Sequence, residues 1–305
     1  MKKFHAHVIA NEHAGLTIEA YLKQILHYSG RKIQKLTRLK GIRLNSKPAF
    51  LQKKIKTADV LHVLILEEKP DGIVPEPGSV DILYEDEYLL VLNKPAGLLV
   101  HPAGRTTSGT LANYLAHHLQ QRGSTNTVRP LHRLDRDTSG CIVFVKDAYS
   151  QFLLEQQLKT GILTRTYQAL VQGIVNPSSG TIEAPIGPHP TLANRRSICP
   201  QGDPAVTNYR TIQTLGDISL LELSLETGRT HQIRLHMTHS SHPLIGDGMY
   251  GVRVPWMKRQ ALHAISLTFH RLKDDREITV QAPLPEDFRQ ALAYCVAKEK
   301  KCTQT

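Results

Sequence analysis

No apolar run in this 305-residue chain approaches the ~18 residues needed to cross a bilayer, which excludes a membrane-spanning helix. The first residues, MKKFHAHVIANEHAG, lack the apolar centre of a secretory signal. Cysteine is scarce. The four present, Cys141, Cys199, Cys295 and Cys302, include no CxxC spacing, so neither a disulfide scaffold nor a cysteine zinc site is expected. GxGxxG, Walker and GxSxG motifs are all missing, and with them the usual signatures of nucleotide cofactors and serine hydrolases. There is no internal repeat and no low-complexity tract. Charged residues, at 21%, are too few for a disordered chain, and 40% hydrophobic residues suffice for a core. The expectation is a soluble, cytoplasmic protein of about two domains.

What is present is positive charge, unevenly placed. Met1–Glu68 holds 13 Lys and Arg against 5 Asp and Glu, a net of +8 out of +11 for the whole chain. A basic N-terminal segment is the electrostatic footprint of a polyanion partner, although a solvated surface would show the same count. Thr17 is placed to cap a helix through Leu26, with Ile18, Tyr21, Leu22, Ile25 and Leu26 on one face. A second helix is expected over Arg31–Lys40, with Ile33, Leu36 and Leu39 inward. Arg31, Lys32, Lys35 and Arg38 occupy the rest of its surface as candidate RNA-binding residues. The reading is a small basic domain over 1–68.

A linker is expected at 69–79, within the Pro- and Gly-rich stretch EEKPDGIVPEPGS. Beyond it, strand-like segments predominate: Val80–Leu83, Tyr88–Leu92, Cys141–Val145, Tyr167–Val171, Thr181–Ala184, Tyr209–Leu215 and Ser219–Leu225. Helices are expected at Leu111–Leu119 and Gln151–Leu158. Many strands, few helices and no βαβ alternation predict an α+β domain with a largely antiparallel sheet over 80–294. Residues 295–305 read as a basic C-terminal tail.

The densest polar cluster is RPLHRLDRDTSG, Arg129 to Gly140, directly before the apolar strand Cys141–Val145. Loops at strand ends commonly carry catalytic groups, because the rigid sheet positions them. Arginine neighbours keep a carboxylate ionised and available as nucleophile or base. Such a cluster also suits a turn held by ion pairs. Spacing does not choose between Asp135 and Asp137. A second cluster, TGRTHQIRLHMTHSSHP, crowds Arg229, His231, Gln232, Arg234 and His236. His236, His239 and His242 recur every three residues, but the ligand set is incomplete and no metal is expected.

HRLDRDTSG resembles the signature of the RluA-type pseudouridine synthases. The resemblance extends through DILYEDEYLLVLNKPAGLLVHPAG (Asp81–Gly104), RTYQALVQG (Arg165–Gly173), ETGRTHQIRLHM with HPLIGDGMYG (Glu226–Gly251), and LHAISLTF (Leu262–Phe269). Four motifs in family order over about 200 residues form a specific signal. The basic N-terminal segment is similar to the small αL RNA-binding domain that precedes many members.

The resemblance implies an isomerase that converts uridine to pseudouridine in structured RNA, without metal, nucleotide or redox cofactor. Carried over by position, Asp135 is the catalytic aspartate. It would attack the ribose or the base, or promote elimination. Tyr167 stacks on the flipped uracil and assists proton removal from carbon 5. Arg234 pairs with the aspartate. Arg133 fills the space left by the flipped base, Leu262 packs beneath the uracil, and His132 belongs to the same substrate-binding motif. The implied partner is ribosomal or transfer RNA, with no membrane and no obligate protein partner, so a monomer is expected. The alternatives are a non-catalytic RNA-binding or ribosome-assembly factor on the same fold, and a hydrolase of the glycosidic bond.

Overall fold

A computed structural model describes residues 4–26, 28, 30–64, 73–124 and 127–302. The chain divides into two compact units, Met1–Lys69 and Pro70–Thr305.

The first unit carries β1 (Phe4–Val8), α1 (Ile18–Ala20), α2 (Gly30–Arg38), β2 (Ile42–Leu44), β3 (Lys47–Pro48) and β4 (Val60–Leu64). Its four strands form one antiparallel sheet in the order β1-β4-β2-β3. Thr17 caps α1 as expected, accepting a hydrogen bond from the Ala20 amide at 3.1 Å. The chain then widens into a π-helical turn over Tyr21–Ile25, with the Leu26 amide donating to the Tyr21 carbonyl at 3.0 Å. Ile18, Leu22, Ile33, Leu36, Leu61 and Val63 form the core. Leu39, expected on the inner face of α2, is 41% exposed because the helix ends at Arg38. Lys35 and Arg38 are exposed, and Lys32 sits 3.7 Å over the Tyr28 ring. The Arg31 side chain lies outside the described residues.

The second unit begins with β5 (Ile82–Glu85), β6 (Leu89–Lys94), α3 (Leu111–Gln121), β7 (Arg129–Pro130), β8 (Ser139–Val145) and α4 (Ala148–Lys159). It continues with β9 (Thr164–Gln172), β10 (Ser179–Glu183), β11 (Ile186–Pro188), β12 (Arg196–Ile198), β13 (Val206–Leu215) and β14 (Ile218–Leu225). Last come α5 (Gln232–His239), β15 (Leu262–His270), β16 (Glu277–Gln281) and α6 (Glu286–Cys302). The main sheet runs β10-β13-β14-β9-β15-β8-β6-β5, with β16 and β7 paired at its sides. Every pairing is antiparallel except β8 with β15. This is the α+β, largely antiparallel architecture expected from the sequence.

The strand β8 is buried at all seven positions, as its unbroken SGCIVFV run requires of a central strand. Where β8 meets β15, a Cβ on Gly140 would lie 2.2 Å from the Ala264 carbonyl oxygen, and its φ is +110°. Only glycine fits there. The close approach docks the HRLD loop against the start of β15.

Two sequence expectations need correction. Residues 295–302 are not a tail but the second half of α6. Phe288, Ala291, Leu292, Cys295 and Val296 recur at helical spacing and pack with Leu170, Leu215 and Ile218. The lysines of KEKK hid that stripe. The expected linker 69–79 is in its second part bound to the sheet domain, while 69–72 lie outside the described residues. Asn113 Nδ2 donates to the Val74 carbonyl at 2.8 Å, the Glu76 amide donates to the Asn113 carbonyl at 3.1 Å, and the Gly109 amide donates to Glu76 Oε2 at 2.7 Å.

Candidate active site

The loop Leu131–Thr138 lies between β7 and β8. The loop is held from three sides. Lys94 Nζ donates to the Arg136 carbonyl at 2.8 Å, Arg136 Nε donates to the Gly97 carbonyl at 3.1 Å, and Arg259 Nη1 donates to the Asp137 carbonyl at 2.9 Å. Leu134 is buried in the main core and anchors the loop from beneath.

These restraints present Asp135 to α5. Arg234, two residues into that helix, directs Nη1 to Asp135 Oδ2 at 2.9 Å. Its other two nitrogens grip Asp247, Nε to Oδ2 at 2.6 Å and Nη2 to Oδ1 at 2.9 Å. Asp247 also accepts from the Met249 and Tyr250 amides at 2.8 and 3.1 Å. Burial pushes the Asp247 carboxyl up, but Arg234 and the two amides outweigh it and hold the group below its usual range. Burial opposes the charge of Arg234 as well, and the two carboxylates overcome it, raising its pKa. Spacing left two carboxylates open. The structure pairs Asp135 with Arg234, whereas Asp137 gives its backbone carbonyl to Arg259.

His231 precedes α5 with φ 60°, a left-handed conformation uncommon away from glycine and a mark of local strain. Tyr250 Oη accepts the Arg196 amide at 2.8 Å and lies 2.9 Å from His231 Nδ1. With its hydroxyl proton offered to Nδ1, the imidazole carries its own proton on Nε2, which faces Asp135 Oδ1 at 3.9 Å. Burial, the largest influence, lowers the His231 pKa.

Tyr167 and Leu262 are both 4% exposed, and they belong to the same core as Leu134. Leu262 pairs across the sheet with Ala169, two residues along β9 from Tyr167. Burial pushes the Tyr167 hydroxyl up, Arg165 opposes, and Asp135 adds to the rise. Arg133 is exposed at the loop surface. His132 turns toward the protein, where its Nε2 accepts the Val143 amide at 3.4 Å. Burial and then Arg165 push its pKa down to about 3, so it is neutral.

Sequence reasoning assigned no role to Asp247, Lys94, Arg259, Arg165 or His231. The first four act through tertiary contacts whose partners are distant in sequence. Lys94 was within reach, since the NKPAG turn contains it. The histidine series disperses: His236 Nε2 lies 3.0 Å from the Ala184 carbonyl oxygen, and His242 Nδ1 lies 3.0 Å from that of Gln172. Among the described residues no three His, Cys, Asp or Glu side chains gather as metal ligands, and no helix is long and apolar enough to cross a membrane.

Residues 88–239 match the model of the RNA pseudouridylate synthase family. The chain is 39% identical over 284 residues to the uncharacterized RNA pseudouridine synthase YhcT of Bacillus subtilis, covering 92% of this chain and 94% of that protein. It is 36% identical over 293 residues to ribosomal large subunit pseudouridine synthase D of Nitrosomonas europaea, covering 92% and 84%. Among solved structures it is similar to human RNA pseudouridylate synthase domain containing 1, with TM-score 0.57 and 28% identity over 72% of this chain and 90% of that one. With relatives matched over nearly its whole length, the chain belongs to the RluA-type RNA pseudouridine synthases, isomerases that convert uridine to pseudouridine within RNA.

Proposed function

We propose that Asp135 is the catalytic carboxylate of this isomerase and that its RNA is that of the large ribosomal subunit. The observation that carries the first part is the Asp135–Arg234 contact at 2.9 Å, with Arg234 itself clamped by Asp247. Such a carboxylate is oriented and only 16% exposed, as a group acting on an extruded nucleotide needs to be. Tyr167 and Leu262 bracket the uracil, and exposed Arg133 enters the RNA helix as the base leaves. His132 supports the loop from inside rather than touching the base. Arg31, Lys32, Lys35 and Arg38, on a small RNA-binding domain of the αL type, bind phosphate and add affinity without choosing the base. The protein acts as a cytoplasmic monomer, and this chemistry calls for no cofactor.

The ribosomal assignment follows relatives named for the large subunit, such as that of Nitrosomonas europaea. Mapping pseudouridines in ribosomal and transfer RNA, from cells with and without this gene, tests it. Loss of one or a few large-subunit sites is the expected result. Loss confined to transfer RNA overturns the assignment.

A further inference from the structure

Three arginines are buried among the described residues: Arg165 and Arg234 at 5% exposure and Arg259 at 9%. Two of them meet a carboxylate in bidentate fashion. Arg234 holds Asp247, and Arg259 holds Asp287 through Nε at 2.6 Å and Nη2 at 3.0 Å. Arg165 has no carboxylate partner among the described residues. Its one hydrogen bond runs from Nη2 to the Thr227 carbonyl at 3.5 Å, and its buried Nε meets no acceptor. A buried guanidinium without a counter-anion is costly, because one long hydrogen bond only partly replaces the water it has lost. The protein nonetheless builds a place for it. A Cβ on Gly228 would sit 3.1 Å from Arg165 Nη1, so the Thr227–Gly228 backbone lies directly over the guanidinium.

We propose that Arg165 binds the uracil ring as an anion once its bond to ribose has broken. This rests on the site reading above. On β9, positions 165, 167 and 169 are buried in alternation, so Arg165 shares the face of Tyr167, the residue assigned to the uracil. A flipped base reaches that depth, whereas a phosphodiester stays near the surface, where Arg133 is exposed.

The chemistry supplies the missing anion. Breaking C1′–N1 leaves the bonding electron pair on uracil, spread over N1, O2 and O4. N1 and O2 are then adjacent, coplanar acceptors, spaced like the oxygens of a carboxylate and suited to the guanidinium fork. The same pair forms the C5–C1′ bond. The C5 proton leaves to the Asp135 carboxylate, with the Tyr167 hydroxyl, which burial keeps protonated, assisting, and N1 takes up a proton. The product ring is neutral, and nothing is oxidised or reduced.

The test uses the full chain and a synthetic RNA spanning a site that the wild type converts, with uridine or 5-fluorouridine at the target. Single-turnover loss of the N-glycoside is followed at saturating RNA for wild type, Arg165→Lys and Arg165→Met. Fluorine stabilises the uracil anion by withdrawing electrons, so a residue that holds this anion matters less. On uridine, Arg165→Met is expected to slow turnover by about 10²–10³-fold, as when one preorganised donor is removed, with Arg165→Lys intermediate. The deficit shrinks on 5-fluorouridine. The melting temperature of Arg165→Met stays level or rises, since an uncompensated buried charge has been removed. Equal deficits on the two RNAs overturn the proposal. So does weaker RNA binding with normal turnover at saturation, which marks a phosphate contact, or a clear fall in melting temperature, which marks a structural cation. An active Asp135→Asn overturns the site reading instead, so the two failures are distinguishable.

Discussion

Arg234 and Asp247 form a bidentate ion pair in which the carboxylate is 1% exposed, and the third nitrogen of that arginine is what reaches Asp135. The orientation of the Asp135 carboxylate is thereby tied to a residue 112 positions further along the chain. If Asp135 is the catalytic carboxylate, removing the residues that hold it has measurable consequences.

Asp135→Asn is expected to abolish isomerisation and leave RNA affinity near normal, because the carboxylate acts in chemistry while phosphates carry binding. Release of tritium from RNA labelled at uridine carbon 5, under single-turnover conditions, reads the step directly. Asp137→Asn keeps the backbone carbonyl that Arg259 holds and should be far milder. Comparable losses in the two variants would reverse the choice of carboxylate.

Asp247→Asn removes the charge that balances a buried arginine. Breaking such a pair costs about 3–5 kcal/mol, which chemical denaturation will resolve. Activity should fall even at temperatures where the variant is folded, since Arg234 is then free to leave Asp135. Full activity in the folded variant would show that Asp135 needs no positioning from Asp247.

Lys94 gives a pH signature. Burial, opposed by Asp137 and Asp135, pushes its pKa from 10.5 down to about 7. Below pH 7 the amine is charged in both folded and unfolded chains, and the folded state bears the penalty of burying it. Between about 7 and 10.5 the folded amine is neutral while the unfolded one is charged, so the penalty is relieved as pH rises. Wild type should therefore gain stability relative to Lys94→Met across that window, by at most about 1.4 kcal/mol per pH unit. A pH-independent difference would show that Lys94 stays charged against the carbonyls of Pro95, Leu98 and Arg136.

Deleting residues 1–69 should weaken RNA affinity and flatten its salt dependence. On a duplex the log–log slope falls by about 0.9 for each phosphate that the shortened protein no longer neutralises. The cut belongs at 69 rather than at the end of the expected linker, because Val74 and Glu76 hydrogen-bond to Asn113 and Glu76 also holds the Gly109 amide. The remaining unit should fold and still modify RNA at high concentration. Identical salt slopes for the two proteins would mean that the α2 cations do not bind RNA.

What the sequence determined by itself was everything governed by local order. The apolar run Cys141–Val145 read as a strand, and β8 is buried throughout. Thr17 could be read as a helix cap because the cap bond spans three residues. HRLD, RTYQALV and HQIR pointed to Asp135, Tyr167 and Arg234 through the family resemblance, whereas spacing alone left Asp135 and Asp137 open. Helix α6 escaped notice because its lysines masked a five-residue apolar stripe whose partners lie on other strands. Only the tertiary structure decided which charges meet. Asp247 clamps Arg234, Asp287 clamps Arg259, and Arg165 is left with no carboxylate among the described residues. Ion pairing acts through space over a few ångströms, and the chain distance between partners carries no information about it.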